Sequence, residues 1–446
     1  MNSYIDNFNK IFKLEFALSI SFVIFIFCSM SYVTNIFAFE NSELNLVSST
    51  MNKSINTTSF FNSKELDLTN LTNNTSDSIY SQIASFKNNI YVVWQESMPA
   101  NLSELNYDIF FIKSEDNGKT FSSPINLSNN TYFSGRPQIM ASENGIYVVW
   151  SDKISSSNKD ISFIKSEDNG KTFSSPINLS NNSYISSNPD ISAYDEYVYI
   201  VWKDREQNST QESIVFKYSK NMGKSFGESI NLMNDTHNSF PKVNSYNNHV
   251  YLIWNSENTS GMNSGNDLYF IKSEDNGKTF NKIIKLGNKN FGESQIAVHE
   301  NKLLVASGGL IFANSTNFDL YIIESHDYGN SFTQPKKISE YLFESKNNMT
   351  KSNELDSIIN NPLNVELSNK DLSYIVWQNT FSGNYQNILL LNKINDTDFQ
   401  ITNLTDNIEG ISQCPSLAIS NGYVHVIWES FINDNNEIIF TSIPLE

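Results

Sequence analysis

The sequence repeats itself. The segment Ile146-Tyr-Val-Val-Trp150 returns as Ile90-Tyr-Val-Val-Trp94, Val198-Tyr-Ile-Val-Trp202 and Val250-Tyr-Leu-Ile-Trp254. It returns again as Tyr374-Ile-Val-Trp377 and Val424-His-Val-Ile-Trp428. A copy without tryptophan, Leu303-Leu-Val-Ala-Ser307, makes seven. The period is about 52 residues. Self-similarity at such a spacing implies stacked supersecondary units, none of which can bury its apolar face alone.

Each unit reads as four short strands. In the second repeat these are Gln138–Ala141, Ile146–Trp150, Asp160–Ser166 and Phe173–Leu179. β-branched and aromatic residues fill the runs, and turn-forming residues separate them. Four antiparallel strands in about 40 to 50 residues is the arithmetic of a propeller blade. A β-solenoid would need shorter repeats with a regular coil. The expected fold is therefore all-β, a seven-bladed propeller over residues 64–446.

The ends support closure. The last repeat stops at Phe440-Thr-Ser-Ile-Pro-Leu-Glu446, with no room for a fourth strand. Before the first repeat stands Leu66-Asp-Leu-Thr-Asn-Leu-Thr-Asn-Asn-Thr75, similar to the fourth-strand segment Ile177-Asn-Leu-Ser-Asn-Asn-Ser183. The N-terminal segment is expected to complete the seventh blade. Such a join removes two open sheet edges.

The first 38 residues read as a targeting segment. Lys10 and Lys13 precede an apolar run from Phe16 to Val33, and small residues follow. That fits a secretory signal cleaved after Ala38, although Ile36 is bulky for its position. A retained membrane anchor is the alternative, since about 18 residues just span a bilayer. Residues 39–63, rich in Ser, Asn and Thr, read as a linker. With the leader removed only Cys414 remains, and no intramolecular disulfide is possible. Sequons at Asn56, Asn70, Asn101, Asn126, Asn208, Asn258, Asn314 and Asn403 permit glycosylation without establishing it, because this composition generates them by chance. An insertion from Tyr341 to Asn361 lengthens one repeat and is either a binding loop or a passive one.

Charge excludes some functions. With 48 acidic against 30 basic residues the chain carries −18, which speaks against a nucleic-acid partner. Two cysteines and five histidines exclude a Cys/His zinc module. No phosphate loop, nucleophile elbow or His-Glu-x-x-His occurs, and nothing marks a cofactor.

A second element recurs after the tryptophan. Lys113-Ser-Glu-Asp-Asn-Gly-Lys-Thr-Phe121 returns almost unchanged at 165–173 and 272–280, and more loosely at 219–226 and 325–332. The sixth and seventh repeats lack it. The pattern Ser-x-Asp-x-Gly-x-Thr-Phe resembles the Asp-box, or BNR repeat, of sialidase-like propellers. Turn chemistry explains it. Asp116, Asp168, Asp275 and Asp327 can accept backbone N–H bonds, and so can Asn221 in the third copy. Gly118, Gly170, Gly223, Gly277 and Gly329 supply positive φ. Phe121, Phe173, Phe226, Phe280 and Phe332 are expected to begin the fourth strand and pack between blades. A structural role is favoured over calcium binding, because one carboxylate per turn is too few. The six tryptophans likewise read as inter-blade core.

The resemblance implies a sialidase, but the composition opposes it. That family grips a carboxylate with three arginines, and this chain has two, Arg136 and Arg205. Another glycoside hydrolase would need only a carboxylate pair, for which Asp190 and Glu293 are the weak candidates. The start of each innermost strand should face the central channel. The aligned positions there are Gln82, Gln138, Asp190, Lys242, Gln295, Asn364 and Ser416, preceded by Tyr80, Arg136, Asn188, Phe240 and Glu293. This ring varies between blades, unlike the repeated motifs. It reads either as a solvated channel mouth or as a ligand site. A set after the tryptophan, Glu96, Asp152 and Asp204, reads as capping. The expectation is an exported or surface-anchored propeller that binds a glycan or protein at the channel mouth without catalysis. The alternatives are a glycoside hydrolase and a structural envelope protein.

Overall fold

A computed structural model describes residues 66–98, 106–131, 133–155, 157–236, 238–258, 265–287, 291–310, 318–338, 358–368, 372–380, 386–393, 399–406, 408 and 410–445. The leader, the linker, Asn56, Asn101, Asn314 and the insertion from Tyr341 to residue 357 lie outside them. No helix among the described residues is long and apolar enough to cross a membrane.

The protein is a seven-bladed β-propeller of four-stranded antiparallel sheets. Blade two shows the plan: Phe133–Ser142, Gly145–Lys153, Asp160–Ser166 and Ile177–Asn178, paired in that order. The first strand of every blade touches the first strands of both neighbours, so these seven line the axis. The tryptophan strand comes second. All six tryptophans are at most 1% exposed, each within an inter-blade cluster or beside one. Trp150, for example, packs with Tyr91, Val93 and Phe111 of the preceding blade.

Closure occurs as the ends of the sequence imply. Thr69 pairs with Phe440 and Asn70 with Ile439, making the N-terminal segment the fourth strand of blade seven. The Leu71 N–H donates to Ile438 O at 2.8 Å, just as Leu179 N–H donates to Ile161 O at 2.7 Å in blade two. Side chains reinforce the join. Glu437 accepts from the Asn74 N–H at 3.1 Å and from the Thr72 hydroxyl. Asn435 donates to Asn74 O and Ser76 O, both at 2.9 Å.

In blade two the fourth strand is shorter than the sequence implies. It is Ile177–Asn178, not Phe173–Leu179, and the motif phenylalanines precede their strands rather than begin them. The reason is packing. Each phenylalanine turns edge-on to an aromatic ring of the preceding blade's third strand: Phe173 on Phe111 at 5.0 Å, Phe226 on Phe163 at 4.9 Å, Phe121 on Phe440 at 5.1 Å. Edge-to-face contact stabilises each pair by about 0.5–1.5 kcal/mol beyond area burial. It also draws the backbone off the ladder.

The repeated turns close one end of the molecule. The Asn117 N–H donates to Asn88 O at 3.0 Å, and the Asn276 N–H to Asn248 O at 2.9 Å, tying each motif turn to the hairpin between the first two strands. The beginnings of the first strands therefore lie at the other end.

Candidate functional site

Each innermost strand is interrupted near its start. The register slips between Ile79 and Gln82, Gly135 and Gln138, Ser187 and Asp190, Ser239 and Lys242, Phe291 and Ser294, Asn360 and Leu363, and Gln413 and Ser416. These are β-bulges, one per blade. Bulges re-aim side chains and are common beside functional sites. In five blades the bulge residue has left-handed φ: Tyr80 at 53°, Arg136 at 55°, Asn188 at 52°, Phe240 at 50° and Cys414 at 51°. Such values are strained for bulky side chains and must be held by surrounding structure.

The holding groups come from the blade before. The Tyr80 N–H donates to Glu429 Oε1 at 2.6 Å, the Arg136 N–H to Gln95 Oε1 at 3.3 Å and the Cys414 N–H to Gln378 Oε1 at 3.4 Å. Each acceptor directly follows a tryptophan. Proline follows the bulge residue at 137, 189, 241 and 415, where no N–H is required. Gln95, Gln378 and Glu429 were not identified from sequence. Their shared place after the tryptophan was the available signal.

The register confirms the aligned ring. Gln82, Gln138, Asp190, Lys242, Gln295, Asn364 and Ser416 all pair with the residue before the tryptophan position. In blade five the bulge sits one residue earlier and holds Gly292 and Glu293, so Glu293 is not left-handed like its counterparts. The ring divides into groups. Arg136 lies over the Tyr80 ring at 5.0 Å. Ser416 donates to Gln82 at 3.4 Å. Lys242 stands 3.9 Å from Asp190 and 3.6 Å from Glu293. No contact joins Gln138, Phe240 or Gln295 to these groups among the described residues.

The carboxylate pair is thus occupied by a lysine. Asp190 also accepts the Val243 N–H at 2.8 Å. Burial pushes its carboxyl up to about 6, and Lys242 works against that rise. A lysine 8% exposed stands between two carboxylates and links blades three to five.

The acids after the tryptophans cap indole groups. Trp94 Nε1 donates to Glu96 at 2.5 Å, Trp150 Nε1 to Asp152 at 2.7 Å and Trp202 Nε1 to Asp204 at 2.7 Å. Burial raises the Glu96 and Asp204 carboxyls above their ordinary range.

The motif aspartates are occupied within their own turns. Asp116 accepts from the Thr120 N–H at 2.9 Å and hydroxyl at 2.6 Å, which hold its carboxyl down at about 2. Asp168, Asp275 and Asp327 accept the equivalent N–H and hydroxyl bonds, and Asn221 accepts the Ser225 N–H at 2.9 Å. The glycines have φ of 83°, 72°, 72°, 80° and 74° at Gly118, Gly170, Gly223, Gly277 and Gly329. A Cβ on Gly170 would lie 2.7 Å from Phe111 of the preceding blade. Each glycine therefore serves both the turn and blade docking.

Glu366 was missed from sequence. It pairs with Tyr374 on the innermost strand of blade six. Its counterparts are Ala84, Met140, Ser192, Asn244, Ala297 and Ala418, none of them ionisable. Burial alone lifts its carboxyl to about 7. The alternation Leu363-Asn-Val-Glu-Leu367 reads as an ordinary strand, so only comparison across the repeats exposes it.

No family model matches this sequence, and no curated protein is similar to it. Solved structures are. A protein of unknown function from Dyadobacter fermentans is 12% identical, with a TM-score of 0.50 over 85% of this chain and 99% of that one. The intramolecular trans-sialidase of Ruminococcus gnavus is 10% identical, with a TM-score of 0.46 over 82% and 94%. The α-L-arabinanase of Penicillium chrysogenum is 11% identical, with a TM-score of 0.47 over 69% and 92%. At these identities the likeness concerns the fold alone.

Proposed function

We propose that this chain is an exported propeller of the Asp-box type whose bulge end binds a glycan without hydrolysing it. The observation that carries this reading is the set of five left-handed bulges. Four of them present unlike, partly exposed side chains, Tyr80, Arg136, Asn188 and Phe240, at equivalent places on one end, while the fifth, Cys414, is buried. Backbone strain repeated around a ring, with the side chains free to differ, fits a recognition surface better than a core. An aromatic and a guanidinium together suit a sugar ring with polar substituents.

The reading without catalysis rests on charge. Asp190 and Glu293 share Lys242 rather than facing a substrate across a cleft. A hydrolase pair needs one carboxyl ready to protonate and another ready to attack or activate water. Two arginines are too few for the carboxylate grip of a sialidase. Export rests on the leader at 1–38, and fractionation of cells producing the full chain tests it.

The deciding experiment is a glycan array and a glycosidase panel on the full chain, with Tyr80→Ala, Arg136→Ala and Asp190→Ala. Binding that falls in the Tyr80 and Arg136 variants, with no turnover, is expected. Hydrolysis of any glycoside that is lost in Asp190→Ala overturns the reading.

A further inference from the structure

The bulge end of blades two and three gathers cations in a chain of net charge −18. We infer that this patch binds an anionic polysaccharide along Lys153, Lys159 and Arg205, with Arg136 and Lys203 at its inner edge. This deepens the reading of the bulge end as a glycan-binding surface and rests on it.

The register builds the row. Lys153 ends the second strand of blade two, opposite Phe133. Arg205 ends the second strand of blade three, opposite Ile185. Ile185 is bridged in parallel to Lys159, just before the third strand of blade two. The Ser186 N–H donates to Lys159 O at 2.9 Å, so the backbone of Lys159 links the two blades. One residue further lies Tyr184, 39% exposed, whose ring is available to a sugar face. Both arginines of the chain belong to this cluster.

The nearby acids Asp152, Asp160 and Asp204 are buried, and none forms an ion pair with the row among the described residues. Asp152 is occupied by Trp150, Ser134 and Ser162, Asp160 by Asn178 and Ser180, and Asp204 by Trp202 and Asn182. Glu212 pairs with Lys203 at 2.8 Å. Lys153, Lys159 and Arg205 have no ion-pair partner among the described residues. The cations feel one another. Half-buried Lys159 is pushed below its ordinary range by burial, then by Arg136, Lys153, Lys203 and Arg205. Like charges held together are repaid by a bound anion.

The register favours a polymer. The row draws its cations from strands of two blades, which suits a ligand that carries several charges. A polysaccharide with a charge on each sugar can follow it. The acidic remainder of the molecule repels a bulky polyanion such as duplex nucleic acid.

The test uses the full chain and polygalacturonate, measured by calorimetry from about 50 to about 200 mM salt. Galactan, sialyllactose and single-stranded DNA serve as controls. The expected result is binding that weakens as salt rises and drops at least about tenfold in Lys153→Gln/Arg205→Gln. Both replaced residues are exposed, so an unchanged unfolding midpoint accompanies the loss. Undiminished affinity in that variant overturns the inference. So does sialyllactose or DNA binding as tightly as the polymer. A neutral glycan that binds through Tyr80 while polygalacturonate stays silent overturns the inference and spares the proposed function. Silence from every glycan overturns both.

Discussion

Glu366 turns an unusual burial into a measurable pH dependence. Its carboxyl sits on the axis-lining strand of blade six and is lifted from 4.5 to about 7 by burial alone. The native state therefore holds this proton more tightly than the unfolded chain does. Between those two values the unfolded state has released the proton and the native state has not. Stability then falls as pH rises, by about 1.36 kcal/mol per unit. The contribution is fully present below about pH 4.5 and is lost by about pH 7. Over that window it amounts to about 3 kcal/mol. Glu366→Gln keeps the shape and removes the ionisation. Urea unfolding of both proteins at a series of pH values isolates the effect, because every other group cancels in the difference. At pH 4 the two should unfold at nearly the same urea concentration. At pH 8 the variant should be the more stable by about 3 kcal/mol. A difference that stays flat across the series, or that favours the natural protein at high pH, refutes the argument.

Other perturbations test the scaffold. Removal of residues up to 75 takes away the fourth strand of blade seven and exposes the edge of Asn435–Pro444. Sedimentation should then show aggregation, and a monomer of unchanged midpoint would refute closure by this strand. Ser166→Ala leaves the Gly170 N–H, which donates to Ser166 Oγ at 2.9 Å, without its acceptor, and calorimetry should show a loss of about 1–3 kcal/mol. Gly170→Ala should cost more than Gly422→Ala, because a Cβ at Gly170 meets Phe111 while one at Gly422 meets nothing within 4 Å; equal losses would count against blade docking by the turn. Asp168→Asn should fold like the natural protein, since Asn221 already serves in that role in blade three, and a large fall in its thermal midpoint would contradict the equivalence.

What the sequence reveals follows from repetition. Six repeated segments ending in Trp and one copy without it fix blade number, and Leu66 to Thr75 resembles a fourth strand closely enough to locate closure. These features are local, so they can be read residue by residue. The length of the fourth strand cannot, because Phe173 is pulled away by Phe111 of another blade. The bulges were equally hidden. Arg136, Asn188, Phe240 and Cys414 precede prolines, but left-handed φ at Tyr80 has no proline beside it and depends on Glu429, distant in sequence. Asp190 and Glu293 come from the alignment of the repeats. Their pairing with Lys242 depends on how neighbouring blades meet, which no single repeat encodes.

The two ends of each blade answer to different constraints. At the motif end, Ser, Asp and Gly are consumed in holding a turn, and the glycine must lie against the ring of the preceding blade. Any departure costs both the turn and the docking, so five blades keep nearly the same residues. At the bulge end the requirement falls on the backbone. In three blades the left-handed residue is held by an acceptor after the preceding tryptophan, as Gln95 holds Arg136, Gln378 holds Cys414 and Glu429 holds Tyr80. The bulge side chain itself is not specified by that bond. Tyrosine, arginine, asparagine, phenylalanine and cysteine all occupy the position. Charge is distributed in the same way. Lys153, Lys159 and Arg205 lie beyond the bulges of blades two and three, while Lys242 stands between Asp190 and Glu293 in blades three to five. In a ring where geometry repeats and chemistry does not, blades three to five set two carboxylates against one lysine, and a ligand recognised by its negative charge should therefore engage blades two and three.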